Sequence, residues 1–317
     1  MLLLSEPILP IAVLEVLIGI IILSRAGDDF VEGAVGLAAS MRMSPVLVGA
    51  VVIGFGTSAP EMVVSGIAAY NGDVDLGLGN VVGSNVANLS LVLAVAALIV
   101  PVLVTRAVLV REAPTAVLSV LLFAYLASDG LSMIDGIILL GSLLLVLVWA
   151  IGARSNNVAP VADPGGATLW SSAGRTAVGL VGTVAGAQML VWGAMSMASR
   201  LGLTGGFIGF TLVAAGTSIP ELATAVVAAR KKQTDIILGN LLGSNVFNSL
   251  AVGGLIAVIS PGAIGSEGLR TVGLATMVGV TVLAWVAMVT RRRVHRLEGV
   301  ILVVCWIGSV AALARVQ

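Results

Sequence analysis

Glu61 and Glu221 each follow a proline inside a long apolar stretch, in the octapeptides GFGTSAPE (54–61) and AAGTSIPE (214–221). Thr57 and Thr217 stand four residues before these glutamates, so on a helix each hydroxyl and carboxylate share a face. Ser84 with Asn88, and Ser244 with Asn248, repeat that spacing in the next apolar stretch of each copy. Pro60 and Pro220 have no N–H, and their rings crowd the carbonyls four residues back, at Gly56 and Gly216. The helix must open there and free backbone oxygen. At membrane depth such backbone is tolerated only against protein or a wet cavity. Carboxylates, hydroxyls, amide oxygens and freed carbonyls are all oxygen donors, the chemistry of a hard-cation site.

The cation follows from charge. One charged side chain at the bilayer centre costs about 3 kcal/mol on insertion scales, so two facing carboxylates need neutralising. Calcium accepts roughly six to eight oxygen ligands in flexible geometry and balances two glutamates, whereas magnesium sheds water reluctantly. Sodium ions fit the same oxygens, and mutually exclusive occupancy by calcium or sodium is what exchange requires. Protons on the glutamates would give a cation/proton version. No GxxxxGK[ST] loop is present, which argues against ATP as the energy source.

Plainer readings exist for several of these residues. Serine and threonine in membrane helices often bond back to their own backbone, so Thr57, Ser58, Thr217 and Ser218 taken singly could be structural. Asn88 and Asn248 could clamp helices together. A doubled, proline-adjacent intramembrane carboxylate is functional by default. Glu15, on the first apolar stretch, has no evident role beyond a structural hydrogen bond or interface. Asp73, Asp75, Asp129, Asp135 and Glu267 read as solvated loop charges, though an acidic mouth could gather cations. His295, in the run TRRRVHR, reads as a solvated loop residue, and the single Cys305 excludes an internal disulfide or thiolate cluster.

The elements that must position these groups are membrane helices. With 58% hydrophobic and 10% charged residues and a mean hydropathy of +1.13, the chain departs from soluble domains, whose charged fraction is near 25%. At about 20 residues per crossing, the 317 residues divide into spans at 8–38, 44–70, 75–100, 106–127, 132–152, 174–200, 205–229, 234–259, 269–290 and 297–315. The N-terminus lacks a basic run and carries Glu6, so it reads as the first helix rather than a signal peptide. The stretch RSNNVAPVADPGGATLWSSAG reads as a linker, too short for a regulatory domain. It divides the chain into a first repeat (1–152), a linker (153–173) and a second repeat (174–317).

A gapless shift of 160 residues superimposes the two octapeptides and also GNVVGSNVAN (79–88) on GNLLGSNVFN (239–248). Sixteen of the 33 positions from 56 to 88 are identical. The loop after the first glutamate helix is acidic, YNGDVD, and its counterpart is basic, RKKQTD. The positive-inside rule therefore puts them on opposite faces, and five intervening spans invert the second half. The predicted fold is an all-α polytopic membrane protein, ten transmembrane helices in two inverted five-helix repeats. With the N-terminus outside, thirteen basic residues fall on inside loops and three outside. Both termini, an even number of spans apart, are then outside and the linker is cytoplasmic. GAVGLAAS (33–40) and GAMSMAS (193–199) hold small residues that permit close helix contact or simply pack.

The paired motifs GTSAPE with GNVVGSNVAN, and GTSIPE with GNLLGSNVFN, resemble the two alpha-repeats of the cation/calcium exchanger superfamily, most of all its prokaryotic sodium/calcium exchangers. The resemblance covers nearly the whole chain. It implies ten helices in two inverted halves, alternating access by sliding of the first and sixth helices, and ions bound at the midplane. Calcium would sit at Glu61 and Glu221 with Thr57 and Thr217. Sodium would add Ser58, Ser84, Ser218, Ser244 and the carbonyls of Gly54 and Ala214, and Asn88 and Asn248 complete the centre. Several of these exchangers have aspartate where this chain has Asn248, so one titratable group is missing. The family implies no cofactor, no nucleic acid, lipid and transported ions as the only partners, a possible monomer, and a prokaryotic plasma membrane. The alternatives are a cation/proton antiporter of the same fold, a passive channel, and an intramembrane hydrolase using the two glutamates, which the doubled hydroxyls and the lack of HExxH disfavour.

Overall fold

The computed structural model describes residues 9–40, 48–152, 168–200 and 214–315. Its helices follow the apolar stretches and run through the same series twice. In the first half these are α1 (Leu9–Ser40), α2 (Gly54–Thr57), α3 (Ala59–Tyr70), α4 (Val74–Ala87), α5 (Leu93–Ile99), α6 (Ala113–Ala127) and α7 (Met133–Gly152). The second half repeats them as α8 (Leu169–Arg200), α9 (Ala214–Thr217), α10 (Ile219–Arg230), α11 (Thr234–Val246), α12 (Gly253–Ile259), α13 (Leu274–Arg291) and α14 (Arg296–Leu313). Among the described residues, six continuous helical runs are long and apolar enough to cross a membrane, and the bent pair Gly49–Thr57 with Ala59–Tyr70 makes a seventh. The expected span at 205–229 is described only from Ala214, and most of the linker lies outside the described residues.

Two boundaries differ from expectation. The second half starts its helix at Leu169, not 174, because Thr168 caps it: its hydroxyl accepts the Ser171 N–H at 3.2 Å. The expected helices at 75–100 and 234–259 each contain a wider, π-helical turn, at Asn88–Val92 and Phe247–Val252. Hydropathy runs unbroken through both, so it carries no sign of them. Each turn falls on a candidate site asparagine, a placement common for π-bulges at functional sites.

The 32-residue helices α1 and α8 pack side by side. Gly33 lies so close to α8 that a Cβ there would sit 2.5 Å from the Thr176 nitrogen, and Gly36 faces Ser172. As α1 advances α8 retreats, so the pair is antiparallel. Of the two small-residue runs, 33–36 makes this contact; the side chains at 193–199 lie outside the described residues. Arg175 pairs with Asp29 (2.8 Å) and Glu32 (2.5 Å), and Lys231 with Asp28 (3.2 Å) and Glu32 (2.7 Å). These pairs are solvent-exposed and contribute little stability.

The tightest packing joins the halves. Gly243 of α11 faces Ala50 of the turn before α2, and a Cβ at 243 would lie 2.6 Å from the Ala50 Cα, with the Ala50 carbonyl oxygen nearer still. Backbone cannot move aside as a flexible side chain can. Gly243→Ala is therefore expected to cost roughly 1–3 kcal/mol by overpacking, seen as a lower thermal midpoint in detergent. Gly141→Ala is the control, since no atom lies within 4 Å of a Cβ at that position.

Candidate ion-binding site

The broken helix places the first glutamate. The helical run Gly49–Thr57, which ends in α2, meets α3 at 47°, with Ser58 at the break (φ −80°, ψ 4°) and Pro60 in the first turn of α3. Pro60 supplies no N–H, the position where a helix start needs none. Ser218 takes nearly the same angles (φ −83°, ψ 7°), with Pro220 opening α10. Glu61 and Glu221 thus lie in the first turn of their helices, where the helix dipole favours negative charge. Both are fully buried.

The halves exchange hydrogen bonds across this centre. The Ser58 hydroxyl donates to Glu221 Oε1 at 3.3 Å, and the Ser218 hydroxyl to Glu61 Oε1 at 3.4 Å. Ser244 also donates to Glu221 Oε1 (3.3 Å), and the hydroxyls of Ser84 and Thr217 meet at 3.5 Å. Thr57 bonds back to the Ile53 carbonyl (3.1 Å), as the structural reading expects, yet also donates to Asn240 Oδ1 (3.1 Å) and meets Ser244 Oγ (3.4 Å). The Gly54 carbonyl accepts the Ser58 N–H (3.2 Å) and the Ser244 hydroxyl (3.3 Å). The Ala214 carbonyl accepts the Ser218 N–H and the Thr217 hydroxyl, both at 3.2 Å.

Five buried side-chain atoms of the residues expected from the sequence have no hydrogen-bond partner: Glu61 Oε2, Glu221 Oε2, Asn88 Oδ1, and both Oδ1 and Nδ2 of Asn248. A buried polar atom left unpaired costs about 1–3 kcal/mol, and more when charged. Four of the five are oxygens, the donor type a hard cation takes. Asn88 does act as a clamp through its nitrogen, donating to Asn245 Oδ1 at 3.0 Å. Asn248 clamps nothing.

Hydrogen bonds join the candidate glutamates, serines and threonines and the Gly54 and Ala214 carbonyls, and none among the described residues ties Asn88 or Asn248 to another of them. The structure adds four asparagines that sequence reasoning passed over. Asn80 Oδ1 accepts from Thr217 (3.0 Å), the mirror of the Thr57–Asn240 bond, so each threonine is oriented by the opposite half. Asn245 donates to the Asn85 carbonyl at 3.2 Å, joining the two GSN segments back to back. All four stood in the matched decapeptides, which was the available signal. Glu15 is partly buried with Oε2 unpartnered and makes none of these bonds. His295 is half-buried and caps α14 rather than standing free in a loop; its N–H donates to Glu298 Oε2 at 3.1 Å.

The family model for sodium/calcium exchanger proteins matches residues 11–152 and 171–314. The chain belongs to the sodium/calcium exchanger family. The exchanger is similar to a putative antiporter, CaxA, of Alkalimonas amylolytica, 36% identical over 94% of this chain and 97% of that one. It also resembles the sodium/calcium exchanger MaX1 of Methanosarcina acetivorans, at 27% identity over 95% and 97% of the two chains. Among solved structures, the sodium-calcium exchanger NCX_Mj soaked with sodium and strontium matches with a TM-score of 0.85 at 29% identity, over 96% of this chain and 99% of that one. The exchanger is a multi-pass membrane protein that performs cation antiport, a transporter and not an enzyme.

Proposed function

We propose that the exchanger moves calcium across a prokaryotic plasma membrane against sodium, by alternating access to one centre. That centre comprises Glu61, Glu221, Thr57, Thr217, Ser58, Ser218, Ser84, Ser244, Asn88 and Asn248 with the carbonyls of Gly54 and Ala214. One observation carries the reading: two fully buried glutamates, each gripped through Oε1 by a serine of the opposite half, each keep Oε2 without a partner. A divalent ion between those oxygens balances both charges at once. Sodium ions placed on the same oxygens exclude it, and that competition couples the fluxes. Relatives named as sodium/calcium exchangers support the choice of ions.

The proposed architecture is ten spans in two inverted halves, 1–152 and 174–317, with the linker 153–173 cytoplasmic and both termini outside. Antiparallel packing of the equivalent helices α1 and α8 supports inversion. The same pair, joined face to face by glycines, is suited to slide as a unit over the site-bearing helices. In liposomes loaded with sodium, the exchanger should accumulate external calcium, and an internal pH step without sodium should drive much less uptake. Equal uptake under the pH step would assign proton coupling instead, and conductance independent of any counter-ion would mean a channel.

A further inference from the structure

Residues Val102–Leu103 (β1) and Arg293–Val294 (β2) form a short antiparallel ribbon, Val102 opposite Val294 and Leu103 opposite Arg293. The Val104 N–H extends it, donating to the Arg292 carbonyl at 2.8 Å. Four apolar spans end beside this ribbon: Val74–Ile99, Val108–Ala127, Leu269–Arg291 and Arg296–Leu313. It therefore lies at the level where hydrocarbon gives way to lipid headgroups. Val102, Val104 and Val294 are buried, whereas Leu103 and Leu297 are exposed. Arg106, Arg291, Arg292, Arg293 and Arg296 are exposed on the same ribbon and its flanks. None of the five makes an ion pair among the described residues.

The fold makes an equivalent tie without arginine. Leu131 and Gly262 bridge antiparallel, each N–H donating to the other's carbonyl at 2.9 Å. Gly262 is the repeat counterpart of Val102, and Leu131 falls within three residues of the counterpart of Val294. Around this second tie stand Asp129 and Asp135, and no lysine or arginine occurs in 125–135 or 260–266. The backbone connection thus does not need the five arginines.

We propose that the arginine ribbon is a docking surface for anionic phospholipid headgroups. Guanidinium groups bind phosphate through paired, charge-assisted hydrogen bonds, and juxtamembrane basic clusters attract acidic lipid. Leu103 and Leu297 would lie against the acyl chains below the bound headgroups. A soluble anion has no use for those two leucines. This reading stands on the membrane placement and is independent of which ions are carried.

The test is lipid binding to the purified full-length exchanger in detergent, followed by native mass spectrometry and thermal shift. The probes are phosphatidylglycerol, phosphatidylcholine and inorganic phosphate. Phosphatidylglycerol should be retained and raise the melting midpoint, and the other two should not. Arg293→Gln combined with Arg296→Gln should weaken phosphatidylglycerol about 25-fold, near five-fold per arginine. Arg270→Gln, an exposed arginine on the opposite membrane face, should leave it unchanged. If the ribbon variant fails to fold, a choline chloride titration of the unaltered protein still decides, because headgroup binding here must weaken with ionic strength. Equal retention of phosphatidylcholine, a response to inorganic phosphate, full binding by the ribbon variant, or a flat salt profile would each overturn the proposal.

Discussion

Glu61→Gln or Glu221→Gln is expected to abolish calcium uptake into sodium-loaded liposomes, leaving less than about one hundredth of the rate while the protein still inserts and folds. Glutamine keeps the shape and an oxygen for the cross-half serine, so the Ser58 and Ser218 hydrogen bonds can persist. What it removes is one of two buried negative charges that a divalent ion must meet. Taking one partner from a buried, compensated charge pair costs roughly 3–5 kcal/mol, which at about 1.4 kcal/mol per decade is roughly two to three and a half orders of magnitude. Normal size-exclusion profiles with unchanged calcium flux would refute the assignment of these carboxylates as ligands. Normal profiles with lost calcium flux and residual sodium–sodium exchange would instead refine it.

Asn248→Asp should have the second-largest effect, as a change of character more than a loss. Neither polar atom of the Asn248 side chain has a hydrogen-bond partner, so an aspartate would break no bond. It would add a third carboxylate to a fully buried centre. Calcium should then compete with sodium at about ten-fold lower concentration, because one more anionic oxygen faces a divalent ion. Flux measured against calcium concentration at several sodium concentrations checks this. A variant indistinguishable from the parent would mean that residue 248 does not touch the ions.

Much of this was legible in the sequence because a membrane narrows the possibilities. An intramembrane glutamate needs a reason, and the 160-residue repeat supplied the same reason twice. The spacing of Thr57 to Glu61 and Ser84 to Asn88 put oxygen donors on shared faces, and in the structure each of the four bonds to a side chain of the other half. The exchange of serines between halves was not legible, since a linear pattern says which groups face inward but not which half they face. Asn80 and Asn240 were hidden for a related reason: they orient a threonine of the other half and need not meet an ion themselves. The π-helical turns at Asn88 and Phe247 escaped because a one-residue widening leaves apolar composition unchanged. The start of α8 was misplaced because Trp170, Ser171 and Ser172 look like linker until Thr168 is seen to cap them.

The crossed grip of Ser58 on Glu221 and of Ser218 on Glu61 sets the smallest unit that can function. A polypeptide ending after α7 would hold one carboxylate whose serine partner was never made. Splitting the chain at the linker should leave two inert pieces that regain activity only when produced together, and two copies of either piece should not substitute for the pair.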